Sequence, residues 1–403
     1  SQLSSAMSSL NEDQKTSIEQ TLQQYTTQII HAFSLSDFIA RTAGQYSVEF
    51  VERLDNLCSE ERHQFSQYQQ TFADLLSATE TEPALHTNIR RFRHLSMLEI
   101  AWRDLLYRAD IQDSLLAVSE LADVLITQTN EWLYAKACQR YGQPEPYICE
   151  NSSGELSAPE PQTLLILGMG KLGGRELNFS SDIDLIFVYP QAGETQHPRK
   201  PIEHSQFFTK LAQKLIAALH QTTVDGQAYR VDMRLRPLGD SGPLVVSMGA
   251  FESYYLEQGR EWERFAMQKA RVLNSDSAAV CELNNIIRPF VYRKYLDFTT
   301  VESLRAMKQL ISNELARRNL QNNIKLGRGG IREVEFFVQS LQMIHAGKVT
   351  ECQTRSILAS FEMLQKHEFL KPKIAEDLRE SYLFLRQVEH YLQAFNDEQT
   401  QTL

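Results

Sequence analysis

The sequence GMGKLGGRELNFSSDIDL, residues 168–185, joins two predicted strands and is the most informative stretch of the chain. It follows a short apolar run, TLLIL at 163–167, which predicts a buried strand. It leads into IDLIFVY at 183–189, which predicts a second buried strand. Only residues 174–181 separate Gly173 from Asp182, which leaves room for about two helical turns at most. The predicted order is therefore strand, glycine turn, short helix and strand.

Three aspartates are candidate catalytic residues and metal ligands. Asp182 and Asp184 are two positions apart, so in a strand they project from the same face. Unpaired carboxylates at that spacing repel each other, and a hard cation such as Mg²⁺ or Mn²⁺ removes the repulsion. The alternating sequence YRVDMRLR, residues 229–236, predicts a further strand with Asp232 on its polar face. Three carboxylates on adjacent strands can hold two metal ions and catalyse displacement at phosphorus.

Positive side chains and glycines near these acids are candidate phosphate ligands. Glycines permit a close approach of backbone N–H groups to phosphate oxygens, and arginine binds phosphate through two parallel hydrogen bonds. The predicted nucleotide- or phosphate-binding residues are Gly170, Lys171, Gly173, Gly174, Ser181, Arg234 and Arg236. A second glycine-rich turn at 327–330 opens a helix and adds Arg328, Arg332 and Glu335 as secondary candidates, with a possible Arg332–Glu335 pair.

The glycines also match the GxGxxG pattern of dinucleotide-binding proteins, at Gly168, Gly170 and Gly173. That kind of site needs a full helix after the glycines and an acidic residue at the far end of the next strand. Here the helix is short, the acids open the strand, and its far end reads Val188, Tyr189 and Pro190. The pattern therefore disfavours a dinucleotide site.

Helical periodicity dominates the regions on both sides of the predicted strands, so the expected fold class is α+β and predominantly helical. The predicted divisions are an N-terminal helical domain at 1–150, a linker at 151–162, a mixed-sheet catalytic domain at 163–280 and a C-terminal helical bundle at 281–403. The chain ends soon after a helical pattern, and we expect it to be part of a longer protein.

Composition narrows the class of protein. A net charge of −10 disfavours a general nucleic-acid binder. Five widely spaced cysteines without a CxxC motif favour neither a disulfide framework nor a zinc site and indicate a reducing, cytoplasmic compartment. No apolar run approaches the length of a spanning helix, and the N-terminus lacks the pattern of a signal peptide, so we expect no membrane association.

The arrangement of glycine turn, DxD and distant third carboxylate resembles the nucleotidyltransferase superfamily, whose catalytic domain is polymerase-beta-like. Four longer stretches, at 168–190, 229–245, 259–271 and 327–339, resemble the glutamine synthetase adenylyltransferase family. That family carries two catalytic halves in one chain. The sequences ELNFSSDIDL and LRPLGDSGPL resemble its first, adenylyl-removing half.

The resemblance implies a reaction and partners. The reaction is phosphorolysis of AMP from an adenylylated tyrosine of glutamine synthetase, with inorganic phosphate as co-substrate and ADP as product. The implied regulators are the PII signal protein in its uridylylated form and glutamine. Two alternatives stay open: ATP-dependent adenylylation of glutamine synthetase at the same kind of site, and a non-catalytic regulatory module that keeps the fold.

Overall fold

A computed structural model describes residues 12–58, 65–107, 109–148, 158–294 and 323–401, with scattered positions between 302 and 313. The described part of the chain before residue 142 is helical. Polar caps set several helix starts: Ser36 Oγ accepts the Ile39 N–H at 3.2 Å, and Asp110 Oδ1 accepts the Gln112 N–H at 2.9 Å. The helices are α1 (Glu12–Gln24), α2 (Thr26–Leu35), α3 (Asp37–Gln45), α4 (Ser47–Glu52), α5 (Leu54–Leu57), α6 (Phe65–Ser77), α7 (Glu82–Tyr107) and α8 (Ile111–Tyr141).

A mixed sheet follows, with one-turn helix α9 (Gly170–Gly173) and the longer α10 (His204–His220) between its strands. The short helix predicted for 174–181 is wrong in position, because the helical turn lies on the glycines and residues 174–181 form turns and coil. The strands are β1 (Leu165–Gly168), β2 (Ile183–Tyr189), β3 (Val231–Asp232), β4 (Val245–Ser247) and β5 (Arg271–Val272). β1 pairs antiparallel with β2 and with β5, whereas β3 and β4 both pair parallel with β2. A dinucleotide-binding unit needs parallel strands around its glycine turn, so the antiparallel β1–β2 pair agrees with the prediction against such a site.

The predicted strand at 229–236 is wrong in its length, because β3 ends at Asp232. The Asp232 carboxylate accepts the backbone N–H of Arg234 at 2.8 Å, a local turn that ends the strand. The Arg236 N–H then donates to the Met233 carbonyl, and Leu238 and Gly239 both have positive φ. Arg234 and Arg236 therefore lie in a turn and not on a strand face.

Six further helices complete the described chain. Ser277 and Ser356 cap two of them, and Pro372 begins the last, where its missing N–H costs nothing. The helices are α11 (Met248–Glu257), α12 (Glu261–Met267), α13 (Ala278–Val291), α14 (Ile331–His345), α15 (Ile357–Lys366) and α16 (Pro372–Asn396). Short 3₁₀ turns lie at Gly239–Ser241 and Thr350–Cys352.

Both faces of the sheet are buried. Ile166 and Phe187 belong to one core with the N-terminal helices and α10, whereas Leu167 and Ile186 belong to a second core with α11 to α13. A third core joins α14, α15 and α16. The prediction of a predominantly helical α+β fold with a mixed sheet is confirmed. The domain boundaries stay predictions, and residues 151–157 of the predicted linker lie outside the described residues.

None of the described helices combines the length and the apolar character that crossing a bilayer requires. Cys58, Cys138, Cys281 and Cys352 carry free thiols.

Candidate active site

The sheet brings the predicted acids together. Asp184 lies on β2 directly beside Asp232 on β3 in the parallel register, and Asp182 immediately precedes β2. Neighbouring strands are about 4.8 Å apart. The prediction that two adjacent strands carry Asp184 and Asp232 is therefore confirmed.

Electrostatics show that the acids form one cluster. Burial and, after it, the negative charges of Asp232 and Asp182 together raise the pKa of Asp184 to about 6, with Lys325 and Arg234 opposing. Hydrogen bonds from the Arg234 side chain lower the pKa of Asp232. Asp184, the most enclosed acid of the cluster, is therefore also the acid whose negative charge is least well compensated at neutral pH.

Two arginines compensate the outer acids. The Arg230 guanidinium donates to Asp182 Oδ1 and to the Ser180 carbonyl, while Arg234 Nε donates to Asp232 Oδ2 at 2.9 Å. Within the described residues, no set of three His, Cys, Asp or Glu side chains is arranged to hold a metal ion. The donor chemistry nevertheless fits a hard cation, since all three side chains offer carboxylate oxygens and share one electrostatic cluster. Metal binding by Asp182, Asp184 and Asp232 stays a prediction.

The glycine turn packs directly against this cluster. Gly170 has φ +52°, and a Cβ atom there would lie 3.1 Å from Asp184 Oδ2. The Met169 N–H donates to the Asp184 carbonyl at 2.9 Å, which fixes the turn to β2. A Cβ atom on Gly173 would lie 1.8 Å from the Lys269 carbonyl, so only glycine permits this approach.

The other predicted phosphate ligands occupy different surroundings. Lys171 is largely buried, and its Nζ donates to Glu389 Oε2 at 2.7 Å and to Asn178 Oδ1 at 2.8 Å. Burial lowers the pKa of Lys171 to about 7 although Glu389 opposes the shift. The Ser181 hydroxyl accepts the Asn178 N–H, and Arg236 Nη1 donates to the Met233 carbonyl. In this arrangement Lys171 and Arg236 bind protein groups, and their phosphate contacts stay predictions.

Gly174, which was also predicted to approach phosphate, packs instead near the second half of the chain. A Cβ atom there would lie 3.1 Å from the Arg355 carbonyl and 3.2 Å from Glu176 Oε2. A cavity of about 410 Å³ lies beside the residues that precede the acids, and its lining includes Ser181, Arg230 and Arg93 but none of the three aspartates.

The second glycine-rich turn differs from its prediction. Arg328 and Arg332 are exposed, whereas Glu335 is turned inward and pairs with Lys269 at 2.9 Å. The proposed Arg332–Glu335 pair is therefore wrong. Burial would raise the pKa of Glu335, but the charges of Lys269, Arg386 and Lys171 outweigh burial and lower it to about 2.

Sequence reasoning missed two cations of the site. Arg230 lies on the same alternating stretch as Asp232 and shares its polar face, which could have identified Arg230 as a site residue. Lys325, two positions before Gly327, lies near enough to lower the pKa values of Asp184 and Glu389. Its position before a glycine-rich turn, more than 90 residues from each of the acids, gave no comparable signal.

The sequence that builds this site matches a known protein family. The family model for glutamate-ammonia ligase adenylyltransferase matches residues 26–285, which include the acid cluster and its glycine turn. The chain belongs to the glutamate-ammonia ligase adenylyltransferase family. A second model, GlnD PII-uridylyltransferase, matches residues 305–403.

Relatives named bifunctional glutamine synthetase adenylyltransferase/adenylyl-removing enzyme support the assignment to the adenylyltransferase family. The protein from Shewanella loihica is 48% identical over 96% of this chain, and 39% of its own length is covered. Those from Alteromonas mediterranea and Pseudomonas aeruginosa are 54% and 46% identical over 81% and 91% of this chain, with 32% and 37% of their lengths covered. The chain thus spans about two-fifths of the length of the relatives it matches.

Proposed function

We propose that this chain removes AMP from an adenylylated tyrosine of glutamine synthetase by phosphorolysis and releases ADP. The observation that carries the proposal is the register of Asp184 beside Asp232, with the Gly170 turn against Asp184. Support for the substrate comes from the relatives, whose names include both adenylyl transfer and adenylyl removal. Support for removal comes from ELNFSSDIDL at 176–185, YPQAGET at 189–195 and LRPLGDSGPL at 235–244, which resemble the adenylyl-removing half.

The proposed chemistry needs no strong general base. An oxygen of inorganic phosphate bonds to the α-phosphorus of tyrosyl-AMP, the bond from that phosphorus to the tyrosine oxygen breaks, and the phosphate proton ends on tyrosine. Mg²⁺ or Mn²⁺ held by Asp182, Asp184 and Asp232 would supply charge neutralisation at the reacting phosphorus. The Gly170 turn lies so close to Asp184 that a Cβ atom there would crowd the carboxylate at 3.1 Å, so a side chain at this position would displace the acid.

Arginine placement fits an anionic co-substrate. The Arg234 side chain is 75% exposed, so it can leave Asp232 at little structural cost and contact a phosphate arriving from solvent. Arg230, which is tied to both Asp182 and the Ser180 carbonyl, keeps the start of β2 in place. Arg234 is thus suited to binding phosphate, and Arg230 to orienting the start of β2.

The test is a phosphate-dependence assay on adenylylated glutamine synthetase with Mg²⁺ or Mn²⁺. We expect ADP to form only when phosphate is added, and the Asp184→Asn variant to form none. Release of AMP that does not depend on phosphate would contradict the proposal.

Forward adenylylation is the second candidate, because the names of the relatives also include adenylyl transfer. It predicts transfer of AMP from ATP to unmodified glutamine synthetase and no ADP from the adenylylated protein and phosphate. A non-catalytic module predicts neither product. Control by uridylylated PII and by glutamine belongs to the same proposal and rests on family resemblance.

A further inference from the structure

One helix, α16, contacts the segment that joins the glycine turn to the catalytic acids. Glu389 Oε2 accepts from Lys171 Nζ at 2.7 Å, and Arg386 Nε donates to Asn178 Oδ1 at 3.0 Å. Gln393 Oε1 accepts the backbone N–H of Ser180, also at 3.0 Å. Residues 386, 389 and 393 are three and four positions apart, so they lie on one face of the helix.

These contacts are protected from water. Arg386 and Glu389 are fully buried and Gln393 is 1% exposed. Arg386 also donates to the Tyr382 hydroxyl at 2.6 Å, one turn earlier on the same face. Buried hydrogen bonds and ion pairs of this kind permit one register between the helix and the segment, where apolar contacts would tolerate several.

The contacted segment has two functional ends. Lys171 directly follows Gly170, which faces Asp184, and Ser180 lies two residues before Asp182. A shift of α16 therefore moves both ends together, and it changes the space between the glycine turn and the acids.

We propose that Arg386, Glu389 and Gln393 are positioning residues, which hold the segment from Lys171 to Ser181 so that the glycine turn and the aspartates form one competent site. The proposal rests on the proposed function for its catalytic consequence. It makes the placement of α16, a helix of the C-terminal region, a determinant of turnover at a site on the sheet.

The first experiment measures backbone hydrogen exchange in the intact chain. Gln393→Leu removes the acceptor of the Ser180 N–H and leaves no buried charge unpaired. We expect exchange in 171–182 to rise about tenfold, because a lost buried hydrogen bond favours local opening by about that factor. The matched control is Gln342→Leu, another buried glutamine, which bonds the Cys352 and Thr354 carbonyls and does not touch the segment.

The second experiment measures turnover of adenylylated glutamine synthetase by the same variants. Gln393→Leu should lower kcat about tenfold with little change in KM for phosphate, whereas Gln342→Leu should lower Tm without either change. Glu389→Gln should behave like Gln393→Leu, with the exposed Glu380→Gln on the same helix as its control.

Unchanged exchange in 171–182 in folded Gln393→Leu would overturn the proposal, as would an equal kcat loss in Gln342→Leu. Failure of the proposed function would appear differently: wild-type protein would lack phosphate-dependent turnover, while the exchange comparison would still decide whether α16 holds the segment.

Discussion

Replacement of Asp184 by asparagine should stabilise the metal-free protein while abolishing turnover. A pKa that rises from 3.8 to about 6 means that ionising Asp184 costs the folded state about 3 kcal/mol. This cost is absent below the unfolded pKa, where both states are protonated. It grows as pH rises from about 4 to about 6, and it is constant above that. The Asp184→Asn variant should therefore gain as much as about 3 kcal/mol over wild type at pH 7.5 and lose that advantage near pH 4.

Urea unfolding in EDTA at several pH values between 4 and 7.5 measures this difference. The comparison is the free energy of unfolding of the variant minus that of wild type, so titrations common to both proteins cancel. Asp377→Asn, an exposed position on α16, is the control and should show no such pH dependence. A difference that stays flat across the range, or a variant less stable than wild type at pH 7.5, would refute the electrostatic account of the acid cluster.

Three other substitutions test separate parts of the site. Arg234→Met should raise the pKa of Asp232, because the arginine hydrogen bonds lower it, and so should move the acidic limb of the pH–rate profile to higher pH. Lys325→Met should raise KM for phosphate about tenfold and leave Tm unchanged, because tenfold is the loss expected for one charge-assisted hydrogen bond. An unchanged KM would show that Lys325 does not belong to the site. Gly173→Ala should lower the free energy of unfolding in urea by about 3 kcal/mol or more, because its Cβ atom would overlap the Lys269 carbonyl. Gly249→Ala should be neutral, because a Cβ atom there meets nothing within 4 Å.

Local pattern was sufficient to predict the strands around the acids. The apolar run before Gly168 and the one after Asp182 correspond to β1 and β2, whereas the short helix expected between glycine and acid is replaced by turns, and the helical turn lies on the glycines themselves. Alternation alone overextended β3, since a period of two does not reveal that the Asp232 side chain closes a turn onto the next backbone amides.

The partners of the predicted phosphate ligands were not readable from the sequence. Lys171 donates a hydrogen bond to Glu389, 218 residues away. Lys269, in the connection between α12 and β5, donates to Glu335 on α14. A lysine after a glycine turn has the same local pattern whether it binds phosphate or a buried carboxylate, and only the tertiary packing of α16 separates the two.

The core that joins the N-terminal helices to one side of the sheet limits how this chain can be divided. Ile166 and Phe187 are fully or almost fully buried against helices that precede residue 148, so a fragment starting at residue 163 would present those side chains to water. Such a fragment should aggregate on expression even though it retains every candidate catalytic aspartate. The smallest useful unit for biochemistry therefore has to include the leading helices, which contribute no acid to the chemistry and yet determine whether the sheet can exist in solution.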